Sequence, residues 1–407
     1  MKFDTKKSLF ILLFFAIGIT SCREGNSIYN PEYEPSKADP VITSITPEDG
    51  YLSGIDSIIV HGENFSDDVD EMTISFDGQT GTILSATPTK LGVRPAQIIG
   101  DEIEVRVSSR GAINFSNTVT YKLEGAINSI PGYNQTHNST GITRNADGDI
   151  IFSLQNESGA NQGIKVWRVN NDVEDYLPSS SNWVAMKIGP DGLLYAVRGI
   201  YAVYRENNGG IDNSPYAIGD PSESYRNLDF GVGNYLWVVG DNEDIIRADI
   251  SDGSIERFGG SEEVYSANLR AVRYYNDQLF VAGSFEGTDG TTQQIWSFDV
   301  NDNSLSAPQH IFTIEEESGE TMQILEITFD EDGIMYLGST IGSGIYTWSE
   351  EEGFNEMYPG LIKASGFSFT WLDNFLVASI TNNGENTRHP TKIDIRKEGA
   401  PYLGITN

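Results

Sequence analysis

The chain has 407 residues, long enough to bury two separate cores. Its 59 acidic residues against 26 basic ones give a net charge of -33, which repels phosphate backbones and argues against nucleic acid as a partner. Cys22 is the only cysteine, so no intramolecular disulfide can form.

At the N-terminus Lys2, Lys6 and Lys7 precede an apolar run from Leu9 to Ile19. At about 1.5 Å per residue this run is too short to cross a hydrocarbon layer of about 30 Å as a helix, and it reads as an export signal over residues 1–21. It ends in Ile19-Thr20-Ser21-Cys22, which resembles the lipobox of bacterial lipoproteins. That resemblance implies cleavage before Cys22 and acylation of its thiol, hence a lipid-anchored protein. Arg23 follows where inner-membrane retention commonly uses aspartate, so the expected address is the outer membrane, exposed at the cell surface. Residues 22–39 are polar, carry Pro31 and Pro35, and have no apolar period; they read as a flexible tether.

From Pro40 the sequence turns β-like. Ile42 and Ile45 start a strand, Pro47 and Gly50 turn it, and Ile58 with Val60 supply an alternating inward face. Gly62 and Asn64 suit a tight turn that returns Phe65 to the core. His61 lies within this strand-and-turn pattern and reads as structural. The run Pro40-Val41-Ile42-Thr43-Ser44-Ile45-Thr46-Pro47, followed by Ile58-Ile59-Val60-His61-Gly62-Glu63-Asn64-Phe65, resembles the IPT/TIG family. It implies an immunoglobulin-like β-sandwich over residues 40–123, with later strands near Met72–Phe76, Ile103–Val107 and Asn117–Lys122.

Residues 124–407 carry a degenerate repeat. An Asp/Asn/Gly turn followed by an apolar strand recurs at Asp147, Asp191, Gly233, Asn276, Asp332 and Asp373. The intervals are about 40–45 residues, stretched once to about 56 between Asn276 and Asp332. A third, aromatic-rich strand recurs in step, as in Ile164-Lys165-Val166-Trp167 and Ile345-Tyr346-Thr347-Trp348. One such unit cannot cover both of its faces, whereas six packed radially can. The fold class is therefore all-β: an immunoglobulin-like sandwich followed by a six-bladed β-propeller. Closure is expected from a strand near Ala126–Ile130 pairing with the last blade. A seventh blade stays open if the long unit hides an extra hairpin.

Propellers bind ligands at the mouth of the central channel, on segments that lead into each innermost strand. Eight residues before the six markers stand Ser139, Trp183, Tyr225, Asn268, Ile324 and Ser365, with Asn182, Arg226, Asn227, Arg270 and Gln323 beside them. From these, Trp183, Tyr225, Arg226, Asn268, Arg270 and Gln323 are the candidate ligand-binding residues. Aromatic faces stack on sugar rings, and amides and guanidinium groups bond hydroxyls or carboxylates. Trp183 and Tyr225 could equally pack between blades, and the sequence leaves both readings open. His137, His310 and His389 show no metal or nucleophile spacing, so catalytic residues are not identified and no metal ligands are expected.

The repeat is similar to NHL-repeat and gluconolactonase-like propellers, without a diagnostic motif for either. In layout the chain resembles surface glycan-binding lipoproteins of polysaccharide-utilising Bacteroidetes. These resemblances imply a non-catalytic lipoprotein that binds a glycan or other polymer through the propeller, with the IPT/TIG domain as spacer or interaction module. The alternatives are a lactonase- or lyase-like enzyme using a divalent cation such as calcium, and a scaffold that contacts envelope proteins. No cofactor is expected from the residues themselves.

Overall fold

A computed structural model describes residues 37–405, apart from short segments at 49–50, 169–171, 242–243, 260–267, 287–288, 302–303, 315–321, 341, 343, 363–364 and 382–386. The expected export signal, Cys22 and most of the expected tether lie outside the described residues. The chain divides into two compact units, one ending at Glu124 and the other beginning at Gly125.

The first unit is a two-sheet sandwich. One sheet orders Val41–Thr46, Ile58–Glu63, Lys90–Arg94 and Thr82–Thr87; the other orders Tyr51–Leu52, Val119–Glu124, Gly100–Ser109, Met72–Phe76 and Gln79–Thr80. Alternation fixes which side chains meet: Ile58, Val60, Ile74, Phe76, Val105 and Val107 are all fully buried in one cluster. Asn64 adopts φ 61° and Phe65 folds back under Gly62, where a Cβ would lie 2.2 Å from the Phe65 ring. Glycine is required there because side chain and backbone claim the same space. His61 stands on the strand beside these residues, in register with Ser44 and Lys90.

The second unit is the six-bladed propeller. Its innermost strands are Asn138–Arg144, Ala185–Ile188, Tyr225–Gly231, Asn268–Tyr275, Ile324–Phe329 and Gly366–Leu372. Each opens an antiparallel sheet of one blade. The inner two strands of each blade are buried on both faces, as in Leu194–Val197 and Tyr235–Gly240, because neighbouring blades cover both sides. Aromatic edges seal these interfaces, with Tyr195 against Phe230 at 5.2 Å and Tyr336 against Trp371 at 5.3 Å between ring centroids. The repeated turns join first strand to second. In the fourth blade, Asn276 and Asp277 both take positive φ, 48° and 59°, which suits a two-residue turn matched to strand twist.

Closure follows the expected route: Ile127–Ser129 adds to the outside of the last blade, with Ile127 opposite Ile393 and Ser129 opposite Thr391. The first and last strands of the second unit thus lie side by side in one sheet. The long fourth unit contains no additional blade among the described residues. Its excess is taken up by the 13-residue strand Asp289–Asn301 and a small hairpin through Ser304–Leu305, ahead of the outer strand Gln309–Ile314.

Candidate ligand site at the channel mouth

In five blades the innermost strand slips out of register with its neighbour near its beginning. The break falls between Ser139 and Ile142, Tyr225 and Asn227, Leu269 and Ala271, Ile324 and Glu326, and Gly366 and Phe369. A bulge of this kind leaves one residue unpaired and re-aims its side chain. The residues within the breaks include Thr140, Arg226, Arg270, Leu325 and Phe367, and all five line one cavity of about 370 Å³. Asn182 and Val184, leading into the regular strand of the second blade, complete its wall with Asn227, Gln323 and Arg388. The volume falls within the range of small-molecule sites, about 300–1,000 Å³.

Three guanidinium groups face this space. Arg226 donates through Nε and Nη2 to Oδ2 of Asp241 at 2.8 and 2.6 Å, and Arg270 pairs with the same carboxylate. Burial pushes Arg270 below the ordinary arginine range, with Asp241 opposing that shift and Arg226 adding to it. Arg388 stacks its guanidinium 4.1 Å from the centroid of Phe367. Burial pushes it down as well, and it forms no ion pair among the described residues. The Thr140 hydroxyl lies 2.8 Å from both Oδ1 of Asn182 and the Trp183 carbonyl oxygen, which joins the first blade to the second at the mouth. Asn227 Nδ2 donates to the Leu325 carbonyl at 3.1 Å and so ties the third blade to the fifth.

Below the mouth the channel is filled. Lys187 stands 4.0 Å from Glu326, and Arg273 donates to Asp229 at 2.9 Å. The far end is closed by the C-terminal segment. Arg273 Nη2 donates to the Pro401 carbonyl at 2.8 Å, its guanidinium lies 3.7 Å from the Tyr402 ring centroid, and Tyr402 donates to Thr328 Oγ1 at 3.0 Å. Among the described residues, the accessible part of the channel is therefore its mouth.

Of the sequence candidates, Arg226, Arg270 and Gln323 come together in the cavity wall. Trp183 and Tyr225 do not, and the expectation that they stack on a ligand is corrected. Both are fully buried. Trp183 donates its indole N–H to Ser179 Oγ at 2.9 Å and packs edge-on to Tyr204, while the Tyr225 hydroxyl donates to Glu223 at 2.8 Å. Asn268 is exposed at the start of its strand and lies outside the cavity. Thr140, Val184, Leu325, Phe367 and Arg388 were not singled out from sequence. For Leu325 the signal is a glycine near the end of the second strand: Gly240, Gly283 and Gly338 pair with Tyr225, Leu269 and Glu326 beside the bulges of the third, fourth and fifth blades.

The divalent cation implied by gluconolactonase-like propellers does not fit this mouth. A cation would meet three arginines, and among the described residues no group of three or more His, Cys, Asp or Glu side chains is gathered to hold one.

Fold and cavity together define the chain as an IPT/TIG sandwich joined to a β-propeller with a ligand-sized mouth. Residues 40–122 match the family described as IPT/TIG domain. Among solved structures, an auxiliary nutrient binding protein from Bacteroides thetaiotaomicron VPI-5482 is similar at 10% identity and TM-score 0.51, over 88% of this chain and 98% of that one. A second auxiliary nutrient binding protein, from Bacteroides ovatus ATCC 8483, is similar at 10% identity and TM-score 0.48, over 88% and 98%. A gluconolactonase from Xanthomonas campestris is similar at 13% identity and TM-score 0.49, over 67% of this chain and 89% of that one. Likeness at these identities is a likeness of fold. No curated protein sequence matches the chain.

Proposed function

We propose that this protein is a surface lipoprotein that captures a nutrient glycan at the propeller mouth. The observation that carries this reading is the cavity built from bulge residues of five blades, whose lining combines arginine and amide side chains with one aromatic residue, Phe367. Sugars present alternating hydroxyl edges and apolar ring faces, and amides, guanidinium groups and an aromatic ring answer both. The similar fold of an auxiliary nutrient binding protein agrees with this role. In the proposed layout the acylated Cys22 fixes the protein to the outer membrane, and the IPT/TIG domain serves as spacer or interaction module.

Affinity electrophoresis and calorimetry of the purified full-length protein against a panel of plant and microbial polysaccharides test the reading. Retention by at least one polymer is expected, weakened about tenfold by Phe367→Ala or Gln323→Ala. Retention by none of them overturns it. For the anchor, Cys22→Ala is expected to move the protein into a soluble extracytoplasmic fraction, and persistence in the membrane fraction contradicts acylation.

A further inference from the structure

Building on that reading, we propose that the mouth selects an acidic sugar, a glycan bearing carboxylate or sulfate groups, with Arg388 as the residue that receives the anion. The chain has only 26 basic residues and a net charge of -33, yet three arginines converge on one cavity. Among the described residues of the wall, Asp241 offsets one of the three charges through Arg226 and Arg270, which leaves that lining cationic. Of the three, Arg388 is the one that has no ion-pair partner among the described residues. Its guanidinium is partly desolvated, lies over Phe367, and has no carboxylate partner among the described residues. A planar fork held in this way suits bidentate bonding to a carboxylate or sulfate.

Beyond a screening length of about 8 Å at physiological salt the surface charges are largely silent to an approaching ligand, so inside the mouth the local arginines decide. Phe367 serves as the platform under Arg388. Neutral sugars would leave the Arg388 charge without a partner in a partly dehydrated site, a cost that an anionic ligand removes.

The test uses the full-length protein with polygalacturonate and chondroitin sulfate as probes, each beside its carboxyl-reduced or desulfated derivative. Expected is binding to an acidic polymer that falls at least tenfold on removal of its anionic groups and on raising salt from about 50 to about 500 mM. Arg388→Gln should produce a similar loss, with partial recovery in Arg388→Lys and an unchanged melting curve. Should the variant fail to fold, chemical neutralisation of the polymer decides on unaltered protein. Equal binding of acidic and neutralised polymers overturns the acidic-sugar inference and leaves the glycan site standing. Binding of no polymer, including the neutral panel, overturns the underlying reading and this inference with it.

Discussion

Arg226 and Asp241 face each other across the bulge of the third blade, with two donors of the guanidinium on one carboxylate oxygen at 2.8 and 2.6 Å. Because Arg270 of the next blade pairs with the same carboxylate, Asp241 holds two like charges together at the cavity wall. Asp241→Asn would leave them without a shared anion, in a setting where both are partly buried. The expected loss is about 1–3 kcal/mol of stability. All six tryptophans lie beyond residue 124, so tryptophan fluorescence in a denaturant titration reports the propeller alone. A midpoint equal to that of the parent protein would contradict the clamp.

Tyr402 ties the C-terminus into the channel. Its ring contacts Arg273, its hydroxyl bonds Thr328, and it is nearly fully buried. Removing the hydroxyl alone, in Tyr402→Phe, should cost about 1 kcal/mol because one hydrogen bond is lost while the packing stays. Tyr402→Ala removes the ring beneath Arg273 and should cost about 3–5 kcal/mol. Similar midpoints for the two variants would show that the segment contributes little to closing the propeller.

Glu326 makes stability depend on pH. Burial pushes its carboxyl up from 4.5 to about 7, Asp229 adds repulsion, and Lys187 and the Asn227 amide oppose the rise. Between those two values the folded protein holds a proton that the unfolded chain has released. This contribution is therefore complete below about pH 4.5, declines as pH rises, and is gone above about pH 7, a change on the order of 3 kcal/mol. Comparing unfolding midpoints of the parent and Glu326→Gln from pH 4.5 to 7 isolates it from other carboxylates. The parent should lose stability relative to the variant across that window, and parallel curves would contradict the shift.

Trp183 and Tyr225 mark the limit of what the repeat discloses. Blade number, turn positions and the closing strand are legible because turn chemistry and burial on both faces write them into every unit. Side-chain direction at the mouth is not. Successive residues of a strand point to opposite faces, and a bulge inserts one more residue without changing the hydrophobic pattern. Tyr225 is therefore interior while Arg226 reaches the cavity. Arg388 comes from the third strand of its blade, where counting back from the first-strand turns does not look. For Trp183→Ala the expected outcome is a stability loss of about 3–5 kcal/mol with ligand affinity of the folded protein nearly unchanged. A large fall in affinity at preserved stability would return Trp183 to the site.

The glycines opposite the bulges supply the last prediction, because they connect sequence to mouth geometry most directly. Gly240 pairs with Tyr225, and a Cβ there would lie 1.9 Å from the Ser224 carbonyl oxygen and 2.9 Å from the Tyr225 Cα. Both obstacles are backbone, so no side-chain rotation relieves them. Gly283 meets the same obstacle in the next blade, 2.4 Å from the Asn268 carbonyl oxygen. Gly240→Ala must therefore push the two strands apart where Arg226 leaves the ladder and where Asp241, the next residue, holds both arginines. A stability loss of about 1–3 kcal/mol is expected from overpacking, together with weaker ligand binding, since the arginine wall shifts even though no lining residue is changed. Gly78, where a Cβ would meet nothing within 4 Å, lies in the sandwich at φ 83° and provides the contrast. Gly78→Ala should strain its own turn and leave affinity at the propeller untouched. If Gly240→Ala binds ligand as the parent does, the bulge does not set the position of Arg226.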